Sequence, residues 1–163
     1  MGREQERLAV IGVTRAGLTH AYPSARSRKC DGEGVTIAGG RHVLIVEDDE
    51  MTALVISEYL RSFGYRTSVA RNGSEGVTKF IDDRPDLALV DVLLPKRDGF
   101  DVCFVMKASE HGKVAPVVLM SAAYRDEFEA ETYARGLLAA GFLKKPFDLD
   151  VLVERVHQLI GPP

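Results

Sequence analysis

A chain of 163 residues that is 45% hydrophobic and 28% charged has the size and make-up of one ordinary globular domain with a real core. Its formal charge of -3, with no long Lys/Arg block, argues against a direct nucleic-acid partner, and no apolar run nears the roughly 20 residues that insertion across a membrane requires. Cys30 and Cys103 are too few and too isolated for a disulfide framework or a metal cluster, which fits free thiols in a reducing, cytoplasmic setting.

Residues 1–40 are rich in Gly, Arg, Ser and Thr and lack a sustained period apart from Leu8-Ala9-Val10-Ile11, so they read as a mostly disordered extension. The apolar stretch from Leu8 to Val13 is broken by Gly12 and too short for a signal peptide. Two readings stand for the extension: a docking or localisation segment, or a vestige of expression or of an upstream start codon, with composition alone favouring the second. Gly39-Gly40 marks the boundary, and residues 41–161 form the expected domain.

From His42 the pattern changes. Val43-Leu44-Ile45-Val46 is a strand ending on Glu47-Asp48-Asp49-Glu50, and Ile56, Tyr59, Leu60 and Phe63 then mark an amphipathic helix stopped at Gly64. A second strand spans Tyr65 to Ala70, Asn72-Gly73 reads as a turn, and Val77, Phe80 and Ile81 form the buried stripe of a second helix ended by Arg84-Pro85. The third strand, Leu87-Ala88-Leu89-Val90, delivers Asp91 to its end, and a third helix over about Phe100 to Glu110 faces Cys103 and Met106 inward before Gly112. Ala115 to Met120 is a fourth strand ending on Ser121, Arg125 to about Leu138 a charged helix, and Gly141 to Lys144 a short fifth strand before Lys145-Pro146. The last helix buries Leu149, Leu152, Val153, Val156 and Ile160, with Asp148 as its expected N-cap.

Five strands alternating with five helices, the strands reading as continuous apolar runs, predict an α/β fold with a doubly wound five-stranded parallel sheet. Sites in such sheets lie beyond the strand C-termini. Those ends carry Glu47, Asp48 and Asp49, then Asp91, Ser121 and Lys145. Carboxylates gathered at one edge repel each other unless a raised pKa or a cation relieves them, and Mg²⁺ suits an all-oxygen set of Asp48 and Asp91 with Glu47 acting through water. A carboxylate beside Mg²⁺, a lysine and a hydroxyl make a phosphoryl-transfer site with Asp91 as nucleophile and Lys145 and Ser121 contacting phosphoryl oxygens. Taken singly, each residue has an ordinary role: a strand-end Asp caps a helix, a Ser closes a turn, and a Lys before Pro is a solvated charge.

The chain from about His42 to Ile160 resembles the receiver domain of two-component response regulators, a flavodoxin-like fold. The resemblance rests on Val46-Glu47-Asp48-Asp49, Asp91-Val92-Leu93-Leu94-Pro95 with Asp98-Gly99, Met120-Ser121-Ala122 and Lys145-Pro146-Phe147. It implies that Asp91 is the phosphoacceptor, that Glu47, Asp48, Asp91 and the Leu93 carbonyl hold Mg²⁺, and that Ser121 and Phe142 form the switch with Lys145 beside them. It also implies a cis Lys145-Pro146 bond. Two features depart from the pattern. The segment from Ser121 to Lys145 is about two residues longer, with Leu137-Leu138-Ala139-Ala140 in place of a Gly-Ala-Asp type turn, and the switch aromatic is Phe142 rather than Tyr, so switching relies on packing.

The implied activity is acceptance of a phosphoryl group on Asp91 from a sensor histidine kinase or a histidine phosphotransfer protein, with signalling through contact with a downstream protein. Only Gly161-Pro162-Pro163 follows the last helix, which reads as a stand-alone receiver. No turnover of an outside substrate is expected. The competing readings are a phosphorylation-independent pseudo-receiver and an aspartyl-phosphate phosphohydrolase. The second is disfavoured because Leu93 stands where such enzymes carry a second Asp.

Overall fold

The computed structural model describes residues 40–122, 132 and 134–163. Five short segments become strands: β1 (His42–Val46), β2 (Arg66–Ala70), β3 (Leu87–Asp91), β4 (Val117–Ser121) and β5 (Gly141–Lys144). They form one parallel sheet in the order β2-β1-β3-β4-β5. The helices among the described residues are α1 (Glu50–Ser62), α2 (Gly73–Asp83), α3 (Gly99–Ala108), a 3₁₀ turn at His111–Lys113, and the C-terminal α4 (Leu149–Ile160). The extension before residue 40 and most of the charged helix expected over Arg125 to Leu138 lie outside the described residues, although residues 134–136 are helical.

The nearly unbroken apolar character of β1, β3 and β4 follows from burial on both faces. Val43, Ile45, Leu87, Leu89, Val118 and Met120 enter one core with Ile56 and Leu60 of α1 and Leu152, Val153 and Val156 of α4. The intervening residues Leu44, Val46, Ala88, Val90, Val117 and Leu119 enter a second core with Phe80 of α2 and Val102, Cys103 and Met106 of α3. Alternate residues of one strand thus serve opposite layers, and neither layer leaves a polar face on the inner strands. Burial also raises the Cys103 thiol to about 11, so it packs as a small apolar group.

Three local expectations change. Asn72-Gly73 is the start of α2 rather than a free turn, because the Asn72 side chain accepts the Glu75 amide at 3.0 Å and caps the helix. Ile81 is 47% exposed. A Cβ on Gly76 would stand 2.8 Å from Val46 Cγ2, so α2 lies tightly on β1 along its Gly73, Gly76 and Phe80 side, which turns Ile81 outward. Asp148 occupies the N-cap position of α4 but makes no capping bond through its side chain. The Lys145-Pro146 peptide is cis.

Candidate functional site

In this strand order β1 and β3 are neighbours while the chain leaves β1 first toward β2, so a crevice opens between their C-terminal ends. Glu47 and Asp48 follow β1 and Asp91 ends β3. One carboxylate oxygen from each of Glu47, Asp48 and Asp91 lies within 4.8 Å of the others, a set that could hold a cation. Glu47 and Asp91 are buried and Asp48 is exposed, so the cluster has a dry floor and a wet rim.

Lys145 comes from the far side of the sheet. Its Nζ donates to Glu47 Oε2 at 2.6 Å and to Asp91 Oδ2 at 2.9 Å. Burial works against the ammonium, but the two carboxylates outweigh it and hold the Lys145 pKa above the ordinary value. Burial pushes Glu47 up to about 7, with the attraction of Lys145 opposing and the charge of Asp91 reinforcing the rise. The floor therefore contains more carboxylate than one ammonium neutralises, which is the condition a hard divalent cation relieves.

The loop after β3 is folded tightly under Asp91. The Leu93 amide donates to Asp91 Oδ1 at 3.2 Å, and the Val92 carbonyl accepts from Gly99 at 2.9 Å and Leu94 at 3.2 Å. Gly99 is required by contact, because a Cβ there would stand 2.1 Å from the Asp91 carbonyl oxygen. Asp98 then caps α3 by accepting the Phe100 amide at 2.8 Å. The Leu93 side chain, on the same loop two residues after Asp91, is 59% exposed.

Ser121 is fully buried at the end of β4, and its carbonyl accepts the Lys145 amide at 2.9 Å, which joins the two loops. Asp91 stands opposite Met120 in the β3–β4 register, one residue from Ser121. Phe142 stands opposite Leu119 in the β4–β5 register and packs half-buried on the second core. The expected residues therefore come to one edge of the sheet, with Phe142 set one layer back.

Two features escaped the sequence. Asp49 belongs to the acidic run, yet its Oδ1 accepts the Thr52 amide at 2.7 Å and caps α1, and hydrogen bonds from the Thr52 side chain and then its amide hold the carboxyl below the usual range. Lys145 is engaged with Glu47 as well as Asp91. An Asp at the junction of strand and helix, where N-caps are favoured, was the available signal for the first; the second depends on long-range packing and had none.

The family model described as the response regulator receiver domain matches residues 43–157. The chain belongs to the response regulator receiver domain family. Among its relatives, the DNA-binding dual master transcriptional regulator RpaA of Synechocystis sp. is 31% identical over 118 residues, 72% of this chain and 48% of that protein. The response regulator MprA of Mycolicibacterium vanbaalenii is 30% identical over 72% of this chain and 49% of its own length. The chain thus spans about half the length of these regulators. A receiver domain of a sensor histidine kinase from Pseudomonas aeruginosa, solved with a magnesium ion coordinated in its active-site cleft, superposes with a TM-score of 0.67 at 30% identity, covering 75% of this chain and 98% of that one. This is a receiver domain of two-component systems, homologous to phosphoacceptor regulators, with the doubly wound parallel sheet of that family. No helix among the described residues is long and apolar enough to cross a membrane.

Proposed function

We propose that this receiver, spanning residues 41–161, accepts a phosphoryl group on Asp91 and signals through protein contacts that depend on it. The observation that carries the reading is the Lys145 ammonium bonded to Asp91 Oδ2 and Glu47 Oε2 beside the three-carboxylate cluster. A strand-end Asp that merely capped a helix would have no need of a buried lysine or of two further acids.

In the proposed reaction an Asp91 carboxylate oxygen attacks the phosphorus of a phosphohistidine on a kinase or phosphotransfer protein. The new P–O bond forms as the P–N bond breaks, and the imidazole leaves with the electron pair and takes up a proton. Lys145 already lies 2.9 Å from Asp91 Oδ2, placed to meet negative charge on the phosphoryl oxygens without reorganising. Mg²⁺ would be held by Glu47, Asp48, Asp91 and the Leu93 carbonyl, and would there supply positive charge against the phosphoryl oxygens. The Ser121 hydroxyl is proposed to take a phosphoryl oxygen, drawing its loop in and opening space for Phe142 to bury further against the second core. Nothing in this scheme turns over an outside substrate.

The test is covalent labelling with acetyl phosphate and Mg²⁺, read by intact mass. The parent chain gains one phosphoryl group and Asp91→Asn gains none. Stoichiometric labelling of Asp91→Asn overturns the assignment, and steady release of phosphate from an added phosphate ester would favour a phosphohydrolase instead.

A further inference from the structure

A sheet ordered β2-β1-β3-β4-β5 leaves β2 as an edge strand. In a parallel pair, alternate residues turn their backbone groups to one neighbour or the other. The Arg66 amide donates to the Arg41 carbonyl at 2.9 Å, and the Ala70 carbonyl accepts the Glu47 amide at 3.0 Å. Arg66, Ser68 and Ala70 therefore face β1, and Thr67 and Val69 turn their peptide groups outward. Such a row is a template on which a strand from another molecule can pair.

Both outward carbonyls are covered. From α1, Arg61 Nη2 donates to the Thr67 carbonyl at 3.4 Å, and from α2, Lys79 Nζ donates to the Val69 carbonyl at 2.6 Å. Each cation is itself anchored. Arg61 Nε donates to Thr67 Oγ1 at 2.6 Å, an oxygen that also bonds Ser57 Oγ at 2.7 Å, and Arg61 Nη1 pairs with Glu58 at 3.1 Å. Lys79 pairs with Glu75 at 2.7 Å. Two helices on opposite faces of the sheet thus each send one cation to the edge, at a two-residue spacing that matches the outward row.

We propose that Arg61 and Lys79 close the β2 edge against pairing with a second copy of this chain. The excluded partner is another β2, because a Thr67-Ser68-Val69 row presents donors and acceptors complementary to itself across a two-fold axis, which gives an antiparallel and self-limiting contact. Strand pairing would need the Thr67 and Val69 carbonyls for the incoming amides, and the two cations hold them. The inference rests on the fold and is independent of any chemistry at Asp91.

The test replaces Arg61→Met and Lys79→Met together, which keeps the aliphatic stems and removes the donors. Sedimentation equilibrium over a concentration series should show the double variant dimerising with a dissociation constant roughly tenfold or more below that of the parent. Adding Thr67→Pro deletes an outward amide while sparing the bonds to β1, and should return the parent behaviour. Identical sedimentation of parent and double variant overturns the proposal. So does association that survives Thr67→Pro, since the contact would then lie on the new methionine surface. Lys79→Met alone leaves the Arg61 network intact and should give an intermediate shift if the double variant fails to fold; no shift in that variant overturns the proposal equally.

Discussion

Replacing Lys145 with methionine probes the floor of the site directly, because the stem remains and only the ammonium is lost. The side chains of Lys145, Glu47 and Asp91 are 11%, 2% and 9% exposed, so the two bonds at 2.6 and 2.9 Å are screened little by water. Removing one partner of a buried ion pair costs about 3–5 kcal/mol, since the remaining charge is left uncompensated. Here two carboxylates are left, but Glu47 already sits at about 7 and takes up a proton readily, which offsets part of the loss. The expected destabilisation is therefore about 2–4 kcal/mol, a fall of roughly 10 °C in melting midpoint for a domain of this size. Magnesium should act unequally on the two proteins: in the parent it would share the carboxylate oxygens with the ammonium, whereas in Lys145→Met it would supply the missing charge. Urea denaturation with and without saturating Mg²⁺ reads both effects, and Mg²⁺ should stabilise Lys145→Met more than the parent. A variant as stable as the parent without metal, or an equal Mg²⁺ gain in both, would refute the account of Lys145 as the counter-charge of this cluster.

Three further outcomes follow from other parts of the molecule. Leu93 is 59% exposed two residues after Asp91, with its amide on Asp91 Oδ1, so Leu93→Asn should admit water and speed loss of a phosphoryl group placed on Asp91 severalfold; unchanged decay in a labelled-protein time course would rule out shielding by this side chain. Burial works against the Asp86 carboxylate, but the His42 amide at 2.8 Å and the Arg41 ion pair outweigh it and hold its pKa below the unfolded 3.8. Its contribution is present above 3.8 and lost as pH falls through the lower folded value, so Asp86→Asn should cost about 1 kcal/mol at pH 7, and the difference from the parent in urea melts should shrink below about pH 4. Leu138 has φ of 59° and is 72% exposed, a left-handed position held by a side chain that buries little, so Leu138→Gly should raise stability by about 1 kcal/mol; a drop would show that the leucine packs.

What the sequence conveyed was the part of the fold written in local chemistry. Val43–Val46, Leu87–Val90 and Val117–Met120 have no polar interruption, and a run of that kind is stable as a strand only between two apolar layers. Because strand ends in such sheets meet at one edge, the residue following each run was also legible as a site candidate, and Glu47, Asp91, Ser121 and Lys145 come together there. The strand order was not legible, since an apolar run carries no mark of its neighbour. Nor was the division of labour within Glu47-Asp48-Asp49. All three are carboxylates at one strand end, and only the turn into α1, where the Thr52 amide takes Asp49, separates the cap from the pair left facing the crevice. Ile81 misled for a related reason. Hydrophobic spacing assumes that helices approach a sheet through their largest side chains, but α2 approaches through Gly76 against Val46, and a close glycine contact rotates the apolar stripe by one position. The same logic makes Gly99 more informative than its place in an Asp-Gly pair suggests. A residue that cannot carry a Cβ because it lies against the Asp91 carbonyl reports where the backbone must come closest, and in this chain that place is directly beneath the proposed phosphoacceptor.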